Sequence, residues 1–290
     1  MKPAPRPVAT RRIALCADDV GLLEGTADTA IALAATGRLS SASCIVNAPA
    51  WPAEAAALVA ARKTLGQLGL GLHLNLTEGA PLSLDLARVW PRLPGLKELM
   101  VRAHMGALPR DALKVEWRAQ RDAFSEAIGR SPGHVDGHQH VHQLPQIRDI
   151  VVDAETTTPA AQRFAIRSTG RLLGPGHAFK RMVIEGTGGR ALMRMLRERR
   201  IRHNAALLGV YDFQDPDYRR LVRGWLASAP ADGGLVFCHP LAAAPAEGDT
   251  DAIKAARRRE ADYLGSEAFA EDLAAAGFKV AAAWQSSSAG

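Results

Sequence analysis

The sequence predicts an α/β fold: a single-domain (β/α) barrel, read as a distorted seven-stranded TIM-like barrel. Three observations carry that reading. Strand-like and helix-like segments alternate along nearly all of the 290 residues. The strand-like segments are continuous apolar runs rather than half-polar ones, as in a parallel sheet covered by helices. Polar, chemistry-bearing residues recur at the C-terminal ends of those runs, the rim where such barrels keep their sites. Roughly seven β/α units fit a barrel better than two doubly wound halves, and no Gly-rich phosphate fingerprint follows the first strand. The chain is expected to be one domain over residues 1–290, with 1–11 and 285–290 as flexible tails.

Ile13-Ala14-Leu15-Cys16-Ala17 is an apolar run ending in Asp18-Asp19, and Glu24 to Thr36 reads as a helix closed by Gly37. Ser43 to Val46 is a short second strand, Trp51 to Lys63 an Ala-rich helix, and Gly69 to Asn75 a third strand. Residues 81–109, broken by Pro91 and Pro94, read as a long loop over the active face. Asp111 to Ile128 is an amphipathic helix with Leu113, Trp117, Phe124 and Ile128 on its apolar side. The histidine-rich run His134 to His142 reads as a strand, followed by a helix from Pro145 to about Glu155. Phe164 to Arg167 and Ala205 to Val210 are further strands, separated by a helical Arg-rich insert. Asp217 to Ala227 is helical, and Leu235 to Cys238 is a buried strand ending at His239-Pro240. Helices at Ala252 to Leu264 and Glu267 to Ala276 and a strand at Lys279 to Trp284 complete the alternation.

Composition narrows the class. With 47% hydrophobic and 23% charged residues, the chain has ample core for a globular protein. The net charge of +6 resides in helical Arg-rich stretches such as Arg194 to Arg202 and Arg257 to Arg259, read as solvated faces. Aromatics are only 5% and do not interleave with these stretches, so no nucleic-acid partner is expected. Cys16, Cys44 and Cys238 lie in separate apolar runs and read as buried thiols of a reducing compartment. Neither a signal peptide nor an 18-residue apolar span is visible, so the expected location is cytoplasmic.

The densest chemistry is His134-Val135-Asp136-Gly137-His138-Gln139-His140-Val141-His142, with four of the nine histidines. In an extended strand His134, Asp136, His138, His140 and His142 would share one face. Such a face is costly to bury without a cation, and imidazole with carboxylate is a normal shell for a catalytic divalent metal. Asp18-Asp19, His73 and His239 sit at other strand ends and would converge on the same mouth. Two adjacent carboxylates can divide labour between metal binding and base catalysis, although one of them could instead cap the following helix.

These residues carry a resemblance. Ala17-Asp18-Asp19-Val20-Gly21-Leu22, Gly71-Leu72-His73-Leu74-Asn75-Leu76-Thr77-Glu78-Gly79, the His134 to His142 run, Cys238-His239-Pro240 and the charged helix around Arg259-Glu260 resemble the YdjC/ChbG-type carbohydrate deacetylases. That group includes the hopanoid-associated HpnK branch and is similar in design to the NodB-like polysaccharide deacetylases. The resemblance implies one divalent metal, zinc or magnesium, held by Asp19, His73 and His138. It implies Asp18 as the base that activates water and His239 as the acid that protonates the leaving amine. Asp136, His140 and Arg167 would orient these groups or meet substrate. Val20, Gln139 and Leu241 depart from the family's usual Phe, His and Gly; the change at Gln139 is expected to affect packing, and those at Val20 and Leu241 leave the shape of the sugar pocket open.

The function expected is that of a metal-dependent hydrolase cleaving a linear amide C–N bond, removing acetyl from an N-acetylated amino sugar. The substrate would be a chitooligosaccharide or an acetylglucosaminyl glycoconjugate, including a glycolipid; no integral membrane segment is expected, and a homodimer is left open. The alternatives are a phosphoesterase on the same scaffold and a catalytically silent sugar-binding protein.

Overall fold

A computed structural model describes residues 11–65, 68–230, 234–243, 251–282 and 284. The expected tails lie outside these residues except for Arg11, which opens the first strand rather than ending a tail. β1 (Arg11–Val20) is the spine of the sheet. It pairs in parallel with β2 (Ser41–Cys44) on one edge. β8 (Phe278–Val280) pairs with the first residues of β1, Arg11–Ile13, and β7 (Leu235–Cys238) pairs with Ala14–Ala17 on the edge opposite β2.

β3 (Gly69–Leu74), β4 (His134–Gly137) and β5 (Ala165–Ile166) extend one side and β6 (Leu207–Leu208) the other. The resulting order is β5-β4-β3-β2-β1-β7-β6, with β8 beside β1 and every pair parallel. The two ends of the curl meet through a bridge between Leu172 and Leu207 and a bond from the Ile166 N–H to the Arg202 carbonyl. The expected barrel is thus present as a curled parallel sheet with one thin seam.

Helices cover the outside because the strands alternate their faces. Ile13, Leu15 and Ala17 of β1, with Val236 and Cys238 of β7, join the main core under α1 (Thr26–Ala35), α2 (Trp51–Ala60) and their successors. Ala14, Cys16, Leu235 and Phe237 face inward and join Leu172, Leu207 and Val210 in a smaller cluster. That cluster floors the interior, and the polar residues stand above it. The Gly37 stop was legible: Gly37 N–H bonds the Ala34 carbonyl and Arg38 N–H the Leu33 carbonyl, a Schellman ending with Gly37 at positive φ.

Three expectations are corrected. Residues 81–109 are not a loop: they contain α4 (Leu84–Val89), capped by Ser83, and α5 (Leu96–His104). The prolines punctuate these helices rather than preventing them, since Pro91 and Pro94 fall between them. After the four-residue α3 (Arg62–Leu65), the long α6 (Arg110–Ile128) and α7 (Ile147–Thr157) match their expected positions closely. The histidine-rich run is a strand only to Gly137; His138–Gln143 is a 3-10 turn in which Gln139 (φ 53) and His140 (φ 62) are left-handed. The five side chains therefore do not share one face. The third concerns Arg257 to Arg259: on α11 (Lys254–Leu264), Arg257 is buried, and a fully solvated face is excluded.

The Arg-rich insert forms α8 (Ala178–Ile184), a π turn Glu185–Gly189, and α9 (Arg190–Glu198). α10 (Tyr218–Ser228) and α12 (Glu267–Ala275) complete the shell.

Candidate metal centre

The sheet's pairing with β2 slips at the end of β1: Ala17 pairs with Ala42 and Val20 with Cys44, so Asp18 and Asp19 together oppose Ser43. This bulge, with Asp19 at φ 63, turns two consecutive carboxylates toward one site. Neither caps the following helix. The N–H groups of Gly25 and Ala27 at the start of α1 are taken by Glu54 at 2.8 and 2.5 Å.

Asp19 stands at the centre. Its Oδ1 lies 2.8 Å from His138 Nδ1 and 3.3 Å from His73 Nε2, and its Oδ2 accepts from Arg257 Nη2 at 2.8 Å. The β3–β4 register sets His73 beside Asp136, whose Oδ1 lies 2.6 Å from His73 Nδ1. With the Nδ1 proton donated to Asp136, Nε2 of His73 is directed at Asp19. His138 Nε2 reaches Glu78 Oε1 at 3.0 Å. Asp19, His73 and His138 are buried, and their ligand atoms lie within 4.8 Å of one another.

Arg167 lies beneath this layer with no exposed surface. Its guanidinium grips Asp18 through two 2.6 Å bonds and approaches Asp136 Oδ2 at 2.5 Å. Ser43 Oγ also donates to Asp136 Oδ2 at 2.6 Å. His239, just beyond β7, donates no side-chain hydrogen bond to Glu260, whose Oε1 is 3.9 Å from Nδ1; its backbone N–H donates to Glu260 Oε2 at 2.5 Å. Its ring stands edge-on to Phe213 and Phe237, and His140 is edge-on to Phe237 as well. His134 and His142 are fully buried: His134 Nε2 lies 3.0 Å from Ser43 Oγ, and His142 Nε2 donates to the Arg167 carbonyl at 2.9 Å. The structure thus brings together Asp18, Asp19, His73, Asp136, His138 and Arg167, sets His140 and His239 on the pocket wall, and leaves His134 and His142 behind it.

The electrostatics ask for a cation. Burial alone would depress the pKa of His73, but the carboxylates of Asp136 and Asp18 override it and push it up to about 10. His138 is likewise raised, to about 9, by Asp19 and Glu78 against its burial. Asp19, although buried, is held well below the usual carboxylate range by His138 and Arg257. Without a metal, protons on the two imidazoles supply the positive charge that these carboxylates need. One carboxylate and two imidazoles converging in a buried pocket fit a divalent metal, and the His73–Asp136 bond is the usual partner of a metal-binding histidine. The other acid and histidine groupings fit less well. Arg167 already occupies Asp18 and Asp136, and burial pushes the Cys16 thiol near His134 up to about 12.

The site opens onto a pocket of about 590 Å³ that is also lined by apolar side chains, including Leu22, Leu96, Ile184, Phe213 and Phe237. Sequence reading passed over two of its residues. Glu78 lies inside the Gly71 to Gly79 stretch but had no role there. Arg257 was read with its charged neighbours, although Arg257 and Glu260 fall on the same buried stripe of α11 as Ala256, Ala261 and Leu264, a signal that the sequence does contain.

The model of the family described as YdjC-like protein matches residues 12–275. A chitooligosaccharide deacetylase of Proteus mirabilis (strain HI4320) is 38% identical over 137 residues, covering 47% of this chain and 52% of that protein. A carbohydrate deacetylase of Danio rerio is 34% identical over 147 residues, covering 48% of this chain and 44% of that protein. The chain thus spans about half the length of the curated relatives it matches. Among solved structures, a protein from Enterococcus faecalis V583 provisionally named a cellobiose-phosphate cleavage protein superposes with a TM-score of 0.71. It is 17% identical and the match covers 94% of this chain and 97% of that one, a likeness of fold.

Proposed function

The chain belongs to the YdjC-like protein family, and on that premise we propose that it is a divalent-metal-dependent hydrolase removing acetyl from an N-acetylated amino sugar. The observation that carries this reading is the convergence of Asp19, His73 and His138 in the pocket beside an Arg167-held Asp18. The names of the deacetylase relatives support the substrate class. A metal held by these three residues supplies a Lewis acid for the acetamide carbonyl and for water; two nitrogens and one oxygen suit zinc, with magnesium the alternative.

The chain's own residues do the rest. Asp18 takes a proton from the attacking water, and Arg167 fixes its orientation while leaving each carboxylate oxygen a free lone pair. Asp136 holds His73 in the tautomer that points Nε2 at Asp19. Arg257 holds Asp19 Oδ2, and Glu78 steadies His138. His239 delivers a proton to the departing nitrogen, so that water adds across the amide C–N bond to give acetate and a free amine. Phe213 and Phe237 offer apolar faces to a sugar ring. A phosphate ester is disfavoured because Asp18, Asp19 and Glu78 line the pocket and Arg257 is engaged by Asp19 and Asp251.

The test uses protein purified without chelators. His73→Ala and His138→Ala should each lose bound divalent metal, measured by mass spectrometry, and acetate release should fall roughly a hundredfold or more. Asp18→Asn should keep the metal and lose acetate release. Full metal occupancy and full activity in either histidine variant would overturn the site.

A further inference from the structure

The chain's excess positive charge is concentrated in one place. Residues 177–202 hold eight Lys or Arg against two acids, a net +6 that equals the formal net charge of the whole sequence. The same segment presents bare apolar side chains. α8 buries none of its residues, and Phe179, Met182 and Val183 are 74%, 55% and 38% exposed. Their spacing of three and four residues places them on one face of the helix. Exposed large apolar groups clustered in this way mark an interaction surface.

The helix is also tied to the pocket. Lys180 and Ile184 line it, and Lys180 Nζ donates to the Tyr211 carbonyl at 2.6 Å. Gln143, which ends the turn carrying His138 and His140, donates to the Ile184 carbonyl at 2.8 Å.

We propose that α8 and α9 form a docking surface for an anionic phospholipid bilayer. Phe179, Met182 and Val183 enter the headgroup boundary, and arginines of the same segment meet the phosphates. Apolar protrusion within a basic segment is what an interfacial helix requires. A second copy of the chain is a poorer occupant, because two surfaces of +6 would repel. Nucleic acid is poorer too, because Phe179 is the segment's single aromatic and offers no stacking series. Since α8 forms part of the pocket wall, docking sets the pocket beside the bilayer.

The experiment sediments the full chain with phosphatidylcholine vesicles that lack or contain phosphatidylglycerol. The parent protein should bind only the anionic vesicles, and added salt should weaken binding. Phe179→Asp with Met182→Asp should cut the bound fraction roughly tenfold, as should Arg190→Glu with Arg194→Glu. Both pairs should melt like the parent and release acetate normally from a small soluble sugar. The proposal is overturned if the parent ignores both vesicles, if the variants bind as well as it does, or if light scattering shows a dimer that Phe179→Asp breaks without any vesicle binding. Sedimentation does not depend on deacetylation, so failure here leaves the proposed activity standing, and the reverse holds as well.

Discussion

His134 and His142 stand behind the metal-site residues, and burial holds both of their pKa values down to about 4. A depressed pKa means that the fold accepts only the neutral ring. Their contribution to stability is complete above the ordinary histidine value of about 6.5 and is lost as pH falls toward 4, where the unfolded chain takes up protons that the fold refuses. Urea unfolding across that window should show a pH slope that shrinks by about one proton in His142→Asn; an unchanged slope would mean that burial does not control this histidine. Asp18, Asp19, His73 and His138 were legible as candidates because metal-binding residue types at strand ends are conspicuous. Arg167 is left by the sequence between orienting these groups and meeting substrate, and the structure seals it under Asp18 and Asp136. The difference is burial, which a sequence does not print.

Strand register turns individual residues into a site. His73 and Asp136 meet because β3 and β4 are paired one to one, and the same pairing presses His134 against Gly71. A Cβ on Gly71 would lie 2.3 Å from His134 Nε2, so only glycine allows this close approach. Gly71→Ala should cost about 1–3 kcal/mol in urea unfolding. Added to His134→Ala, the same change should cost almost nothing further, because the clash is gone. Equal penalties in both backgrounds would disprove the pairing argument. The alternation of histidines predicted a longer strand than exists, since period two fits Gly137 onward equally well on paper. The left-handed Gln139 and His140 lack the glycine or asparagine that ordinarily announces such a turn. Helices α4 and α5 were missed because the prolines that separate them were read as breaking the whole stretch.

Across the molecule, pairing is uneven. β1 is bonded on both edges, whereas β5 and β6 are two residues each and the seam between them is thin. Amide exchange should therefore be slowest in Ala14–Ala17 and Leu235–Cys238 and faster in Ala165–Ile166 and Leu207–Leu208; uniform protection would mean the seam is as strong as the spine. The alternation of apolar runs with helices, the parallel sheet and the convergence of polar strand ends were determined by sequence alone, because they follow from periodicity and from the geometry of parallel strands. Tertiary structure alone decided which carboxylate faces which cation. Asp18 went to Arg167 and Asp19 to Arg257. It also decided that Arg257, in a run that looks solvated, is buried at the site while residues 177–202 carry an exposed apolar helix. Both outcomes depend on which faces the packed elements turn toward one another, and the pairing distances are long in sequence: Asp19 and Arg257 are separated by 238 positions. Local pattern specifies the elements, and the low-dielectric interior, where a buried charge must find its partner, specifies the site.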